Sequence, residues 1–158
     1  MLAVKLKENG YKVYIVTPEE TDISLRERCK RINKVCKENG NKGISISIHC
    51  NAAGADGKWH SASGWSAFVS NNASQNSKRL AKTLYDEALK LNLKGNRAIP
   101  KEHYWVQNLA MCRDTICPAV LTENLFQDNK EDVEFLLSEK GKQAIVDTHY
   151  NGIVKYLG

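Results

Sequence analysis

The chain has 158 residues, a length typical of one domain that buries its own core without disulfide or metal staples. No apolar run approaches the roughly 18 residues of a membrane-spanning helix, and no repeat or low-complexity tract occurs. The net charge of +5 is mild, and the basic residues are spread along helical stretches rather than interleaved with aromatic residues. This composition excludes a membrane span and disfavours nucleic-acid binding, although a weakly basic surface suits an anionic polymer.

The cysteine content predicts reduced thiols. An odd number of cysteines without a C-x-x-C pair argues against a complete disulfide framework, and the five are Cys29, Cys36, Cys50, Cys112 and Cys117. Cys29 and Cys36 are seven residues apart in a helical pattern, which predicts that both lie on one buried face. The amino terminus carries lysines among its apolar residues and does not resemble a signal peptide, so the sequence leaves localisation open.

The first third of the chain predicts two helices around a short strand. Residues 2–9 have the pattern of the closing turns of a helix that begins upstream, and the β-rich residues 11–16 predict a strand. Residues 23–38 predict a second helix whose amino end is capped by Asp22 or Thr21.

The segment GISISIHC, residues 43–50, alternates apolar and polar side chains with the period of a strand. Its isoleucines face one way, and Ser45, Ser47 and His49 face the other. The polar face of the predicted strand therefore ends in an imidazole.

The rest of the chain predicts further strands separated by helices. Strands are predicted over 64–70 and 117–126, a helix over 75–91, and one or two closing helices over 128–157. This order predicts an α/β fold, a three-layer sandwich whose central sheet is mostly parallel and flanked by helices. Sites in such folds are built at the carboxyl ends of strands, where His49 and Glu123 both fall.

His49 and Glu123 are the two residues whose positions suggest a part in catalysis. A lone histidine at a strand end is more often a structural imidazole, and Glu123 could equally be a surface residue or make a structural hydrogen bond. Glu123 nevertheless follows the apolar run AVLT, where burial raises the pKa of a carboxyl toward the range of a general base. A neutral imidazole that binds a divalent metal and a carboxylate that takes a proton from metal-bound water together suggest zinc-assisted hydrolysis.

Four segments resemble one enzyme family. SISIHCNA resembles the Ser-Ile-His-x-Asn-Ala signature of the zinc-dependent N-acetylmuramoyl-L-alanine amidases, which cut the lactyl amide between muramic acid and the stem peptide of peptidoglycan. Residues 10–28 are similar to a strand and helix of that family, and GWSAFVS to the strand after the zinc histidine. PAVLTENLFQDN resembles the closing strand that bears the catalytic glutamate, and all four segments occur in the family's order.

The resemblance assigns roles to individual residues. It implies that His49 is a zinc ligand and that Glu123 is the general base at the scissile amide of peptidoglycan. Asn51 belongs to the signature, where it would shape the turn or contact substrate, and Arg113 matches a basic position that suggests substrate contact. The tryptophans would line a substrate groove or be buried as ordinary core aromatics; they are Trp59, Trp65 and Trp105.

Part of the family pattern has no counterpart in residues 1–158. A first strand ending in a Gly-His-Gly-Gly type loop and a glutamate near the start of the first long helix are both absent, and with them two of the three zinc ligands. We therefore expect one amidase catalytic domain that is incomplete at its amino end. The possible substitutes, none supported by the family pattern, are His60, His103, His149 and Cys50, the last on the opposite face from His49 in a regular strand.

Two functions of different classes follow. The first is hydrolysis of the muramoyl-L-alanine amide with Glu123 as base and Zn²⁺ as cofactor, in a bacterial or phage protein that acts on the cell wall. The alternative is a non-catalytic, amidase-like module that binds peptidoglycan without the metal. Oligomeric state is not predicted by the sequence.

Overall fold

The structure, a computed structural model, describes all residues 1–158. Its ten elements in chain order are α1 Leu2–Glu8, α2 Leu25–Glu38, β1 Ser45–Asn51, β2 Ser66–Val69, α3 Gln75–Lys90, β3 Trp105–Val106, α4 Ala110–Arg113, β4 Ala119–Phe126, α5 Lys130–Leu137 and α6 Glu139–Leu157. None of the helices combines the length and apolar character needed to cross a lipid bilayer.

The four strands form one mixed sheet in the order β1-β4-β2-β3. Two of its three pairings are parallel, β1 with β4 and β2 with β3, whereas β2 runs antiparallel to β4. The predicted α/β fold with a mostly parallel sheet flanked by helices is confirmed.

Strand β4 shows how the layers are organised, because its successive side chains point to opposite faces of the sheet. Val120 packs into the main core, which α3 and α6 complete on one face. Leu121 and Ala119 pack with Cys112 of α4 on the other face. Helix α2 contacts α4, so it lies on this second side of the sheet.

Three helices begin at side-chain caps that the sequence supplies. Ser74 caps α3, Asn129 caps α5 and Ser138 caps α6, each accepting the backbone N–H of the residue three positions later. Such a bond satisfies one of the amide donors that a helix leaves free in its first turn. The predicted helix boundaries are accordingly close to the observed ones.

The second helix starts later than the sequence predicted. Ser24, and not Asp22 or Thr21, is the N-cap of α2, because its hydroxyl accepts the backbone N–H of Glu27 at 3.3 Å. The Asp22 carboxylate instead accepts a hydrogen bond from Arg28 at 2.6 Å.

The predicted strand over residues 11–16 was wrong. These residues form no strand pairing, and the sheet ends at β1 on that side. A strand needs a neighbour to satisfy its backbone groups, so a β-rich composition alone does not produce one. The side chains of Tyr14 and Ile15 accordingly remain 44% and 57% exposed.

Candidate active site

Three side chains on neighbouring strands form one row across the sheet. His49 of β1 lies in register with Glu123 of β4, and Glu123 lies in register with Ser66 of β2 on its other side. Residues directly opposite each other on paired strands project to the same face, so an imidazole, a carboxylate and a hydroxyl are neighbours. The structure therefore brings together the two residues that the sequence singled out.

Glu123 is held in an environment that disfavours its charged form. Its Oε2 atom is buried and accepts no hydrogen bond, and the Oγ atom of the fully buried Ser66 is also without a partner. Burial raises the pKa of Glu123, while the nearby charge of Arg97 lowers it. A carboxyl with a raised pKa is suited to taking up a proton from water near neutral pH.

The imidazole of His49 is biased toward its neutral form. Partial burial lowers the pKa of His49, and the positive charge of Arg28 lowers it further. Its Nε2 atom lies 2.9 Å from the hydroxyl of Ser47, the preceding residue on the same strand face. Neutral imidazole is the form that binds a metal ion, and Nδ1 makes no hydrogen bond within the protein.

A bulge interrupts the β1–β4 pairing directly beyond His49. The register shifts between His49 and Asn51, and Leu125 adopts the left-handed backbone conformation with φ of +63°. The carboxylate of Glu123 is close enough to Cys50 to add to the effect of burial, which raises the pKa of that thiol. The expectation that Cys50 lies on the face opposite His49 assumed a regular strand, and the strand is not regular at this position.

Asn51 shapes the loop that follows β1. Its Oδ1 atom accepts the backbone N–H of Ala52 at 2.9 Å, and its own carbonyl accepts the N–H of Gln127 at 2.8 Å. These bonds support the turn-shaping role, while contact of Asn51 with substrate stays a prediction.

Asn124 fixes the backbone of His49 and was missed by the sequence interpretation. Its Nδ2 atom donates to the carbonyl oxygen of His49 at 2.9 Å, and its Oδ1 atom accepts from Nε1 of Trp65 at 2.6 Å. The network continues through Thr122 to the fully buried His149, whose Nε2 lies 2.9 Å from the Thr122 hydroxyl. The only available signal was the position of Asn124 directly after Glu123.

Arg97 is a second residue that the sequence interpretation missed. Its guanidinium lies over the ring of Trp105 at 4.9 Å and over that of Phe126 at 5.6 Å, measured to the ring centroids. Its positive charge lowers the pKa of Glu123 and so opposes the larger effect of burial. Arg97 lies in an irregular segment without periodicity, so no sequence pattern distinguished it from a solvated arginine.

Arg113 is not brought to the row of three side chains. It ends α4, which packs near the amino end of β4 through Cys112, whereas Glu123 follows four residues into that strand. Its guanidinium makes two bonds to Asp114 at 2.7 Å and one to Asn108 at 2.8 Å. Substrate contact by Arg113 stays a prediction, and its donors already have protein partners.

The three tryptophans occupy three different environments. Trp65 is 1% exposed and belongs to the core, so it lines no groove. Trp59 is 62% exposed in the loop after β1, and Trp105 is partly buried beneath Arg97. Trp65 is linked to the site from the core through Asn124, and Trp105 is linked to it through Arg97.

The side chains around His49 do not form a metal site by themselves. No three His, Cys, Asp or Glu side chains of residues 1–158 are grouped so that they could hold a metal ion. The other histidines have partners elsewhere: His60 pairs with Asp56 at 3.0 Å, and His149 is enclosed in the core. His103 pairs with Asp86 of α3. Catalytic zinc is usually held by three protein ligands, so a zinc site made of these residues alone does not fit.

Known proteins share the sequence pattern of the whole chain. The family model described as N-acetylmuramoyl-L-alanine amidase (Amidase_3) matches residues 1–155. The chain belongs to this amidase family. An endolysin of Bacillus phage SPP1 is 27% identical over 151 residues, and the protein YqiI of Bacillus subtilis strain 168 is 29% identical over 154 residues.

The fold of the amidase family is also found in a solved structure. The N-acetylmuramoyl-L-alanine amidase from Clostridium difficile 630 superposes with a TM-score of 0.79 at 25% identity, covering 99% of this chain and 77% of that one. The alignment with the phage endolysin covers 93% of this chain but 51% of the endolysin, and that with YqiI covers 96% and 67%. The chain thus spans only part of the length of its relatives.

Proposed function

We propose that this amidase-family chain hydrolyses the amide bond between N-acetylmuramic acid and L-alanine in peptidoglycan, with Glu123 as the general base. The observation that carries the proposal is the pairing of His49 and Glu123 in register, where Glu123 keeps one carboxylate oxygen buried and unbonded. The matching family and the phage endolysin among the relatives support peptidoglycan as the substrate.

The chemistry assigned to Glu123 is a proton shuttle. Its carboxylate takes a proton from a water molecule, and the resulting hydroxide attacks the carbonyl carbon of the amide. The protonated Glu123 then gives the proton to the nitrogen of L-alanine as the C–N bond breaks, which releases a free amine and a lactyl carboxylate. The raised pKa of Glu123 suits both steps, because the group must hold the proton between them.

His49 is the candidate ligand if a zinc ion takes part. Its neutral imidazole has the right chemistry, but the residues described here supply no three-ligand group. No step of the proposed reaction is therefore assigned to a metal, and ligation by His49 stays a prediction.

A second function is supported by the composition of the site, which has no group of three potential metal ligands. A chain without a three-ligand metal site could keep the amidase fold and bind peptidoglycan without cutting it. Binding would then use the same face, since His49 and the loop after β1 are exposed there.

One experiment separates these functions. Purified cell walls are incubated with the chain, once with added zinc and once with a chelator, and new amino groups and sedimented protein are both measured. Release of amino groups that is lost in Glu123→Gln supports hydrolysis. Sedimentation without release supports the binding module. If the protein neither releases amino groups nor sediments with the cell walls, both proposals are refuted.

A further inference from the structure

The guanidinium of Arg97 lies over the ring of Phe126, three residues after Glu123 on β4, and it makes no hydrogen bond or ion pair within the protein. Arginine carries five N–H donors in a planar fork. Arg28, whose charge acts on His49, is by contrast engaged, since it donates to the carbonyl of Ile23 and to the carboxylate of Asp22. Arg97 is therefore a half-buried arginine whose guanidinium N–H groups have no hydrogen-bond partner in the protein.

The aromatic rings beneath Arg97 hold it in place without using its donors. Trp105 and Phe126 both lie within cation–π distance of the guanidinium, and Phe126 is three residues after Glu123. Stacking engages the face of the guanidinium plane and leaves its edge for hydrogen bonding. A planar anion such as a carboxylate is the ligand that such an edge binds with two parallel bonds.

Contacts between residues 94–97 and residues 61–64 fix the backbone that carries Arg97. Asn96 donates its backbone N–H to Ser63 at 3.2 Å and its side-chain amide to Ser61 at 2.7 Å. Gly64 and Gly95 let the two segments approach, because a Cβ atom at Gly64 would lie 2.0 Å from the Lys94 carbonyl oxygen and 3.1 Å from the Cγ atom of Arg97. The residues directly before Arg97 are therefore held against residues 61–64.

We propose that Arg97 binds a carboxylate of the stem peptide and so orients the substrate beside Glu123. This inference rests on the proposed function for the identity of the substrate. It adds a substrate-binding residue that discriminates between peptides with a free carboxylate and peptides in which that group is amidated.

The test measures binding by the metal-free chain, so that no substrate is consumed. Two synthetic muramoyl-L-alanyl peptides are compared by calorimetry, identical except that one carries a free carboxylate after the alanine and the other a primary amide. We expect the wild-type chain to bind the carboxylate peptide about tenfold to a hundredfold more tightly, the range of a charge-assisted bond. In Arg97→Gln the two peptides should bind equally, at the wild-type affinity for the amide.

The control is Arg26→Gln, which removes the same charge from an exposed arginine of α2 without a hydrogen-bonding partner. It should keep the wild-type preference for the carboxylate peptide. Unchanged binding of the amide peptide by Arg97→Gln shows that the variant is folded.

Equal binding of the two peptides by the wild-type chain, or no binding of either, would overturn the role of Arg97. A preference that survives in Arg97→Gln would do the same. Failure of the proposed function gives a different result. The wild-type chain would still bind the carboxylate peptide more tightly than the amide peptide, but it would hydrolyse neither peptide when zinc is present.

Discussion

His49 and Glu123 lie directly opposite each other on the adjacent parallel strands β1 and β4. The register of this pair shifts immediately afterwards, between His49 and Asn51. The two residues are far apart in sequence, so their meeting depends on the pairing of β1 with β4 and not on any local motif. The main chain of His49 is fixed by Asn124, the residue after Glu123. The candidate base and the candidate metal ligand are thus positioned by the same strand.

Replacing the candidate base should not destabilise the fold. Glu123→Gln removes a desolvated charge and keeps the shape of the side chain, so we expect a melting temperature at pH 7 equal to or above that of the wild type. Glu134→Gln, an exposed carboxylate on α5, is the matched control and should change little. A fall of more than about 5 °C in Glu123→Gln alone would contradict the assignment of a desolvated carboxylate that destabilises the fold.

Stability should fall in mild acid because of His149. Burial lowers the pKa of His149 to about 4 from an ordinary value of 6.5, so the folded chain keeps the imidazole neutral where the unfolded chain protonates it. The contribution of this group is fully present above pH 6.5 and is lost as the pH falls toward 4, by about 3 kcal/mol in total. Urea unfolding between pH 7.5 and 4.5 measures the loss.

The controls for this pH dependence are two substitutions by glutamine. His149→Gln, which cannot titrate, should flatten the profile between pH 6.5 and 4.5 relative to the wild type. His60→Gln, which changes a partly exposed imidazole in the loop after β1, should leave it as it is. An unchanged slope in His149→Gln would show that other groups govern the acid sensitivity.

Removing the amide of Asn124 should be costly. Asn124→Ala leaves the buried indole N–H of Trp65 without its acceptor and removes one donor from the carbonyl of His49. We expect a loss of about 1–3 kcal/mol in the free energy of unfolding, which is the cost of one buried group left unsatisfied. The comparison is Asn76→Ala on the exposed face of α3, where no loss is expected. Equal effects of the two substitutions would refute the bridging role.

Two glycines test the close packing beside Arg97. Gly95 and Gly57 both have positive φ, of +59° and +72°, but a Cβ atom would lie 2.4 Å from the Ser63 carbonyl carbon at Gly95 and would meet nothing within 4 Å at Gly57. Gly57→Ala should cost about 1 kcal/mol from backbone strain, and Gly95→Ala clearly more. Chemical denaturation of both variants gives the difference, and similar losses would contradict the tight approach of the two segments.

The sequence predicted those parts of the fold that have a strong local period. Helices α2 and α3 and strands β1 and β4 follow from their apolar stripes and alternations. The strand predicted over residues 11–16 failed because a strand also requires a partner, which composition does not reveal. The two-residue strand β3 was missed because it is too short to show a period.

The site was predictable only in part, for a related reason. His49 and Glu123 were found because each ends or follows an apolar strand, and the family resemblance agreed. The bulge at Cys50 was missed because it depends on how β1 pairs with β4. Arg97 and Asn124 were missed because their roles arise from non-local contacts with Trp105, Phe126, Trp65 and the backbone of His49.

The most direct test identifies the bond that is cut. A soluble muramoyl peptide is incubated with the chain in the presence of zinc, and the products are analysed by mass spectrometry. We expect two products, a saccharide with a lactyl carboxylate and a peptide with free N-terminal L-alanine, and we expect Glu123→Gln to form them about a hundredfold or more slowly. Cleavage at another bond, or equal product formation by Glu123→Gln, would contradict the assignment of Glu123 as the base of an amidase.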